Sequence, residues 1–460
     1  MTLPILSPLA AVPTQRNRRL LLTLPAAVAL PTWLTACGGG ADLSYDPEQA
    51  LYFVGEAITP NKPQPAPPNP PPPGHTAPRF TVFPPLPAGL TLNAQTGVIS
   101  GTPTKLKRQG THLVVATNNK GFADTQVRIT VTGRGAWFPA ARMAIPRQGA
   151  TISSLRNGRF LVAGGSDGPN ATASAEIFDS TTATWLAAAS MQLARALPSA
   201  VTLSGGRVMV FGGNASNDQA EIYDPAANAW TPTTSLNKRR AFSTVQLLPG
   251  GKVLVAGGSG NTESLDEVHD TVELYDPGKE TWTLLPTPMS TPRIAAVGVL
   301  LAGGTTLMLV GGSNASGPVT TAEFYAVDGS ATRAIPYAGS EFGEQGLLLD
   351  DGSVLIVSNN STMTRRFYPR TSTWTTSLRT SSSAAYMLTM LSDGRVLLAG
   401  GSSQNTAEIY NPDVNVWTAA APMEAGRHRA AAALLGDGSV LMASGVAGRI
   451  VVGSCERYVP

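Results

Sequence analysis

Arg147 … Asn157-Gly158-Arg159-Phe160-Leu161-Val162-Ala163-Gly164-Gly165 … Ala175-Glu176-Ile177-Phe178-Asp179 … Trp185 is the stretch that decides the fold, because the chain writes variants of it seven times. Its apolar run ending in a glycine pair, or a substitute for one, recurs at Gly212, Gly257, Gly311, Ser358, Gly400 and Ser444, at spacings of 42 to 54 residues. A two-residue turn precedes each run: Asn157-Gly158, Gly205-Gly206, Gly250-Gly251, Gly303-Gly304, Asp351-Gly352, Asp393-Gly394 and Asp437-Gly438. Such dipeptides supply the positive φ that tight hairpins demand, so seven hairpins are predicted. A third strand then ends on an aromatic: Phe178, Tyr223, Tyr275, Tyr325, Tyr368, Tyr410 and Tyr458. Trp follows seven residues later in four units (Trp185, Trp230, Trp282, Trp417) and six later in the fifth (Trp374). The fourth unit has Ala331-Thr332-Arg333 there instead. Two residues after Tyr458 the sequence stops, so the fourth strand of the last unit is expected from 133–140, which carries Trp137. Four short strands per period of this length predict an all-β, seven-bladed propeller closed by its own N-terminal strand.

Composition agrees. The 460 residues include 47 Gly and 37 Pro and only 14% charged residues, which suits many strands joined by turns and argues against helical bundles. The formal net charge is +3, but Arg16, Arg18 and Arg19 are the charged residues before Cys37, so the chain from Cys37 onward is formally neutral. A nucleic-acid binder would carry a basic excess or stripe. None is present.

Four strands per unit, glycine pairs and an aromatic–Trp pair resemble kelch repeats, including the Tyr-Asp-Pro and Val-Leu-Val-Ala-Gly-Gly forms seen here at Tyr275-Asp276-Pro277 and Val253 to Gly258. The resemblance covers residues 134–460. It implies blades packed through Tyr and Trp, with the glycines where neighbouring backbones approach closely. A phosphate-loop reading of these glycines fails, because no Lys-Ser/Thr follows them.

Seventeen residues ahead of the first glycine position stand Arg147, Arg195, Arg240, Glu341, Ser383 and Arg427, and eighteen ahead in the fourth unit stands Arg293. These positions begin the innermost strand, near the axis of a propeller. One reading makes the five arginines a ligand-binding mouth for a carboxylate or acidic sugar. The other is internal pairing. Glu lies two residues before the aromatic in six units (Glu176, Glu221, Glu273, Glu323, Glu408, Glu456), and the fifth unit has Arg366 there, the same unit in which Glu341 replaces Arg. That exchange predicts intrablade ion pairs, Glu341–Arg366 among them, since buried charges need partners. His428, between Arg427 and Arg429, is a further candidate ligand-binding or acid–base residue. The acidic loop Ser259 to Asp270, with His269, matches no calcium or zinc spacing and reads as a solvated loop. Cys455 takes the place of Ala175, Ala220, Ala322 and Ala407, and reads as a small buried residue.

The N-terminus tells a different story. Arg16-Asn17-Arg18-Arg19 precedes an apolar stretch, Leu20 to Trp33, short for a membrane span and suited to a signal-peptide core. Leu34-Thr35-Ala36-Cys37, followed by Gly38-Gly39-Gly40, resembles the lipobox of bacterial lipoproteins. The resemblance implies a signal peptide over 1–36, lipidation of Cys37 and a tether over 37–48. Gly38 after the cysteine implies outer-membrane sorting, in the periplasm or at the surface. Cys455 is the only other cysteine, so no intrachain disulfide is expected once Cys37 is lipidated.

Between tether and repeats, residues 49–133 read as short alternating strands with Gly/Asn turns, the pattern of an antiparallel sandwich. Leu86-Pro-Ala-Gly-Leu-Thr-Leu92 … Thr96-Gly-Val-Ile-Ser-Gly-Thr-Pro103 resembles Ig-like domains of bacterial surface proteins. Such domains serve as spacers. The proline tract from Pro63 to Pro73 is expected as an extended, unpacked insertion over 61–78.

Three functions compete. The leading expectation is an envelope-anchored binding or scaffold lipoprotein, held to the membrane by its N-terminal lipid, that presents a propeller face to an envelope or extracellular protein or glycan. The alternative, implied by the kelch resemblance, is a metal-independent carbohydrate-active enzyme such as a sugar mutarotase or epimerase. A purely structural envelope protein is the third. Copper-dependent sugar oxidases of that family need two His and two Tyr, one Tyr linked to Cys. This propeller offers only His269 and His428, in non-equivalent positions, so no metal or other cofactor is expected.

Overall fold

The computed structural model describes residues 43–460 apart from 65, 68, 72, 134, 214–217, 262–266, 340–343, 360, 383–385 and 402–403. Cys37 and its leader, Glu341 and Ser383 therefore lie outside the described residues. The chain forms two compact units, which meet in sequence at Arg134 and Gly135.

The first unit is an Ig-like sandwich. Its main sheet runs in the order Gln49–Phe53, Gly121–Thr132, Lys107–Asn118, Arg79–Phe83, with the first pair parallel and the others antiparallel. The Asn119-Lys120 turn joins the two long strands, which extend well beyond the lengths that alternation alone suggests. Tyr45, Phe80, Leu90, Ile99, Val114, Val127, Ile129 and Val131 form the core. Two expectations are corrected here. Ser44–Tyr45 pairs with Pro63–Gln64 and Tyr45 is 2% exposed, so the end of the expected tether belongs to the domain. Asn61 and Pro63 are also buried, so the start of the proline tract is packed. Proline lacks only the donor, and a two-residue edge pairing leaves room for that.

The second unit contains seven four-stranded antiparallel sheets, the blades of the propeller. Their innermost strands are Thr151–Ser154, Ser199–Thr202, Thr244–Leu247, Val297–Leu300, Gln345–Leu348, Met387–Met390 and Ala431–Leu434. The seventh sheet takes its outer strand from Ala136–Ala140, which pairs with Cys455–Val459 and sets Trp137 opposite Tyr458. Closing the ring with a strand from the other end of the domain leaves neither terminal blade with an unpartnered face.

Seven hydrophobic clusters occupy the seven seams, one between each pair of neighbouring blades. Phe160, Val162 and Phe178 of the first blade, for example, pack with Leu441, Ala443 and Cys455 of the seventh. In six blades an aromatic of the third strand lies against the Trp opposite it, with centroids about 5 Å apart, as in Phe178–Trp185 (5.1 Å) and Tyr410–Trp417 (5.1 Å), while the fourth blade sets Thr332 opposite Tyr325. The Trp indoles then bolt blade to blade. Trp185 Nε1 donates to Ala141 O at 2.8 Å, Trp230 to Ala189 O at 2.7 Å, Trp282 to Thr234 O at 3.1 Å and Trp137 to Ala421 O at 2.9 Å.

The glycine pairs make the second kind of bolt. Gly165 has φ 93°, and its N–H donates 2.8 Å to the carbonyl of Arg195 in the next blade. A Cβ there would stand 2.6 Å from Gln148 O, so only glycine fits. Gly258, Gly401 and Gly445 repeat the bond to Arg293, Arg427 and Arg147, the last closing the ring.

The fifth blade corrects the sequence register. Phe367, not Tyr368, faces Trp374 and sits in the seam core at 0% exposure. The aromatic-to-Trp spacing is then seven, as elsewhere, and the residue equivalent to the Glu of the other six units is Arg365, which faces Ile356. Arg366 points the other way, since neighbouring strand residues face opposite sides of a sheet.

Candidate binding face

Each inner arginine begins the segment leading into an innermost strand, and each is fully enclosed: Arg147, Arg195, Arg240, Arg293 and Arg427 are 0–2% exposed. Each meets the glutamate of its own blade. Arg147–Glu176 lie 3.0 Å apart, Arg195–Glu221 3.2 Å, Arg240–Glu273 2.8 Å and Arg293–Glu323 3.0 Å, with Arg427–Glu456 completing the set. Most of the remaining guanidinium donors go to backbone carbonyls or threonine hydroxyls, while among the described residues Arg195 Nε and Arg427 Nε have no hydrogen-bond partner. Arg240 Nη1, for instance, donates to Gly257 O (2.7 Å) and Thr271 O (2.9 Å). The carboxylates also receive N–H groups from the preceding turn, as Glu176 does from Ala144 and Ile145 at 2.8 and 3.1 Å. Burial pulls the Arg147 guanidinium below its usual range, and the Glu176 charge pushes it back up.

The arginine-lined mouth is therefore corrected. These five side chains form a buried frame, each guanidinium taken out of water and held by the carboxylate of its own blade.

Glu341, the partner expected for Arg366, lies outside the described residues. Arg366 donates to Asp351 Oδ2 (2.6 Å), Ser353 Oγ (2.8 Å) and Pro412 O (2.6 Å), tying the turn of its own blade to the next. On the other face of the strand Arg365 donates to Ser358 Oγ (3.1 Å), and that hydroxyl donates to Glu344 (2.9 Å). Tyr337 O–H also donates to Glu344, at 2.7 Å. Burial and the neighbouring Glu344 charge push the Tyr337 phenol far up, so it stays protonated. In the sixth blade the hydroxyl and N–H of Ser381, with Thr380 N–H, satisfy Glu408.

With the frame accounted for, the channel and its loop-bearing rim remain. The seven innermost strands contain no charged residue. Their polar side chains seal neighbouring strands together: Thr202 Oγ1 donates to Ser154 O (3.0 Å), Gln246 Nε2 to Gly298 O (2.9 Å) and Gln345 Nε2 to Tyr386 O (2.6 Å). At the rim, two residues follow each arginine, and only the seventh blade places a charged group among them. The pairs are Gln148-Gly149, Ala196-Leu197, Ala241-Phe242, Ile294-Ala295 and His428-Arg429. The second residue is left-handed in every case (φ 52° to 62°), so the turn is architectural and only its side chain varies. The turns link around the ring, with Ala295 N–H donating to Phe242 O and Gly149 N–H to Arg429 O.

His428 is half-buried and joins Val446 in a two-way backbone bridge. Val446 opens a hairpin, Val446–Ala447 against Ile450–Val451, whose tip carries exposed Arg449 and Ile450, the latter 70% exposed. Arg429 Nη1 donates to Gln148 Oε1 (3.2 Å) across the seam between the seventh and first blades. Burial pushes the His428 imidazole down, and the Arg429 charge adds to that. The sequence singled out His428; it missed Arg429 and Arg449, for which the excess charge of this one repeat was the available signal.

His269 hydrogen-bonds Arg239 O through Nε2 at 2.9 Å. Cys455 is buried, and desolvation raises its thiol. His269 and His428 lie on the third and seventh blades, and among the described residues no three His, Cys, Asp or Glu side chains converge as metal ligands. The residues present do not fit a copper centre of two His, two Tyr and a Cys.

Fold and frame together define a kelch-type β-propeller preceded by an Ig-like domain. Residues 155–192 and 242–288 match two family models described as Kelch motif, and residues 46–133 match the model described as Putative Ig domain. No curated protein matches the chain. Among solved structures it is similar to a novel fungal alcohol oxidase with catalytic diversity among the AA5 family, in complex with copper. That match has 16% identity and a TM-score of 0.59, over 71% of this chain and 76% of that one. The structure of YjhT aligns at 14% identity and a TM-score of 0.45, over 68% of this chain and 95% of that one. At these identities the likeness is one of fold.

Proposed function

We propose that the chain is an envelope lipoprotein, lipidated at Cys37, whose propeller holds a protein or glycan partner on the rim that carries His428 and Arg429. One observation carries this reading. The arginine–glutamate pair repeats in five blades and is sealed inside them, whereas the two residues after each of these arginines and the loops beyond the glycine pairs differ from blade to blade. Recognition requires surface that differs, and it concentrates in loops held by a rigid scaffold. Kelch repeats and the propeller fold favour an interaction scaffold, and the neutral channel offers no charged acid–base pair inside it.

The test immobilises the full chain as bait against envelope and culture extracts, with the variant H428Q/R429G beside it. A saturable partner that the variant loses supports the reading and locates the rim. A partner held equally by both moves the site elsewhere. An empty bait, with sugar-anomer exchange in a direct assay, supports the enzyme instead.

A further inference from the structure

We propose that the open face of the Ig-like sheet lies on the bilayer that the lipid of Cys37 enters; this deepens the envelope-lipoprotein reading and rests on it. Three cross-strand rows follow one another on that face: Arg79–Thr117–Phe122, Thr81–Val115–Asp124 and Phe83–Leu113–Gln126. Alternate residues of a strand share a face, so these side chains form one surface, opposite the one that buries Phe80, Val114 and Val127. Phe83 is 76% exposed, Phe122 56% and Leu113 37%. Arg128 continues the surface, and exposed Lys120 stands in the turn at its end. Three cations, Arg79, Lys120 and Arg128, thus border the apolar strip, against one carboxylate, Asp124. Further along the same strand Thr130 and Thr132 are buried, so the open part is the half toward the Asn119-Lys120 turn.

Chain length selects the occupant. Only residues 38–42 separate Cys37 from Leu43, which packs against the sandwich core. Fully extended, such a link reaches about 20 Å. Tyr45 O–H donates to Gly97 O, and Gly97 lies against the Phe80 ring, so the entering chain meets the domain near the strand that bears Arg79 and Phe83. An acylated Cys37 therefore keeps this strand within reach of the headgroups. Charge selects the same occupant. Exposed Phe and Leu beside Lys and Arg suit a membrane interface, the apolar groups entering the acyl boundary and the cations meeting anionic headgroups. The lipid alone fixes one point of the domain, and the sheet face adds the second contact that sets how it stands on the membrane.

The test places the full acylated chain on vesicles of phosphatidylethanolamine and phosphatidylglycerol. An environment-sensitive fluorophore is attached at Thr117→Cys, on the face, or at Thr91→Cys, in the strand Leu90–Leu92 of the separate two-stranded sheet. Both threonines are exposed and Cys455 is buried, so the label goes to the introduced thiol. Lipids spin-labelled near the headgroup should quench the Thr117 probe at least about twofold, less at high salt, and leave the Thr91 probe unchanged. F83S/F122S should abolish that quenching while the chain stays on the vesicles and keeps its melting temperature, since both rings are already exposed. Should it fail to fold, R79Q/K120Q takes its place and should at least halve the quenching. Equal quenching of the two probes overturns the proposal, as does quenching that the variants leave unchanged. Shielding of the Thr117 probe only after envelope extract is added assigns the face to a protein or glycan and overturns it too. If neither probe is quenched while the chain still floats with the vesicles, the surface contact falls and the lipid anchor stands. If chain from the cell envelope carries no acyl group at Cys37 and does not float, both fall.

Discussion

Replacing Arg240 with Met tests whether the inner arginines are a structural frame. The Arg240 guanidinium donates to Glu273 Oε1 (2.8 Å), Gly257 O (2.7 Å), Thr271 O (2.9 Å) and Thr271 Oγ1 (2.8 Å), all inside the blade. Methionine fills most of the volume but strands the Glu273 carboxylate, which is itself fully enclosed. Breaking one partner out of a buried pair costs about 3–5 kcal/mol. Glu273 keeps the Asn237 N–H and side-chain amide (2.7 and 2.8 Å) and the Lys238 N–H (3.2 Å), which places the expected loss toward the lower end, about 3 kcal/mol. At roughly 2 °C per kcal/mol for a domain of this size, the propeller transition should fall by about 6 °C. The double variant R240M/E273Q removes the orphan charge and should recover at least about 1 kcal/mol of that loss. Calorimetry and urea denaturation of the single and double variants read both numbers. A single variant within about 1 kcal/mol of the parent would refute the frame, as would a double variant less stable than the sum of its parts.

Further outcomes follow from the same geometry. Gly165→Ala should cost at least about 2 kcal/mol, since its Cβ would meet Gln148 O at a left-handed φ, whereas Gly250→Ala, with nothing within 4 Å, should be nearly silent in the same melt. Arg366→Met should cost about 1–3 kcal/mol through Pro412 O and the Asp351–Ser353 turn; E341R/R366E should not restore it, and a rescue would revive the Glu341 pairing. Trp137→Phe removes the indole donor to Ala421 O and should lower stability by about 1 kcal/mol, seen as a lower urea midpoint with unchanged slope. Cys37→Ser should release the chain from the membrane fraction on cell fractionation, and retention there would overturn the lipid anchor.

The fold was legible because its determinants are local and repeated. A turn dipeptide, an apolar run, a glycine pair and an aromatic–Trp spacing each act over a few residues, and seven occurrences identify the blade without knowledge of any contact. The closing strand was legible from Trp137 in the same way. The equivalence of Arg147 with Arg195, and of Glu176 with Glu221, also stands in the sequence, as does the prospect that they pair.

What the sequence could not decide were matters of facing and enclosure. In the fifth blade, counting from Tyr368 put Arg366 at the glutamate position. Cross-strand pairing with Trp374 moves the count by one residue, which transfers Arg366 to Asp351 and gives Arg365 the inward place. A one-residue slip reverses every side chain of a strand, and only the partner strand fixes which register holds. Whether five arginines line a mouth or sit sealed within blades depends on atoms supplied by turns and strands remote in sequence. The same is true of Tyr45 and Asn61, which local composition assigned to a tether and a loop and which the sandwich core encloses. The periodic pattern specifies the elements, and tertiary packing alone specifies which of their charges reach water.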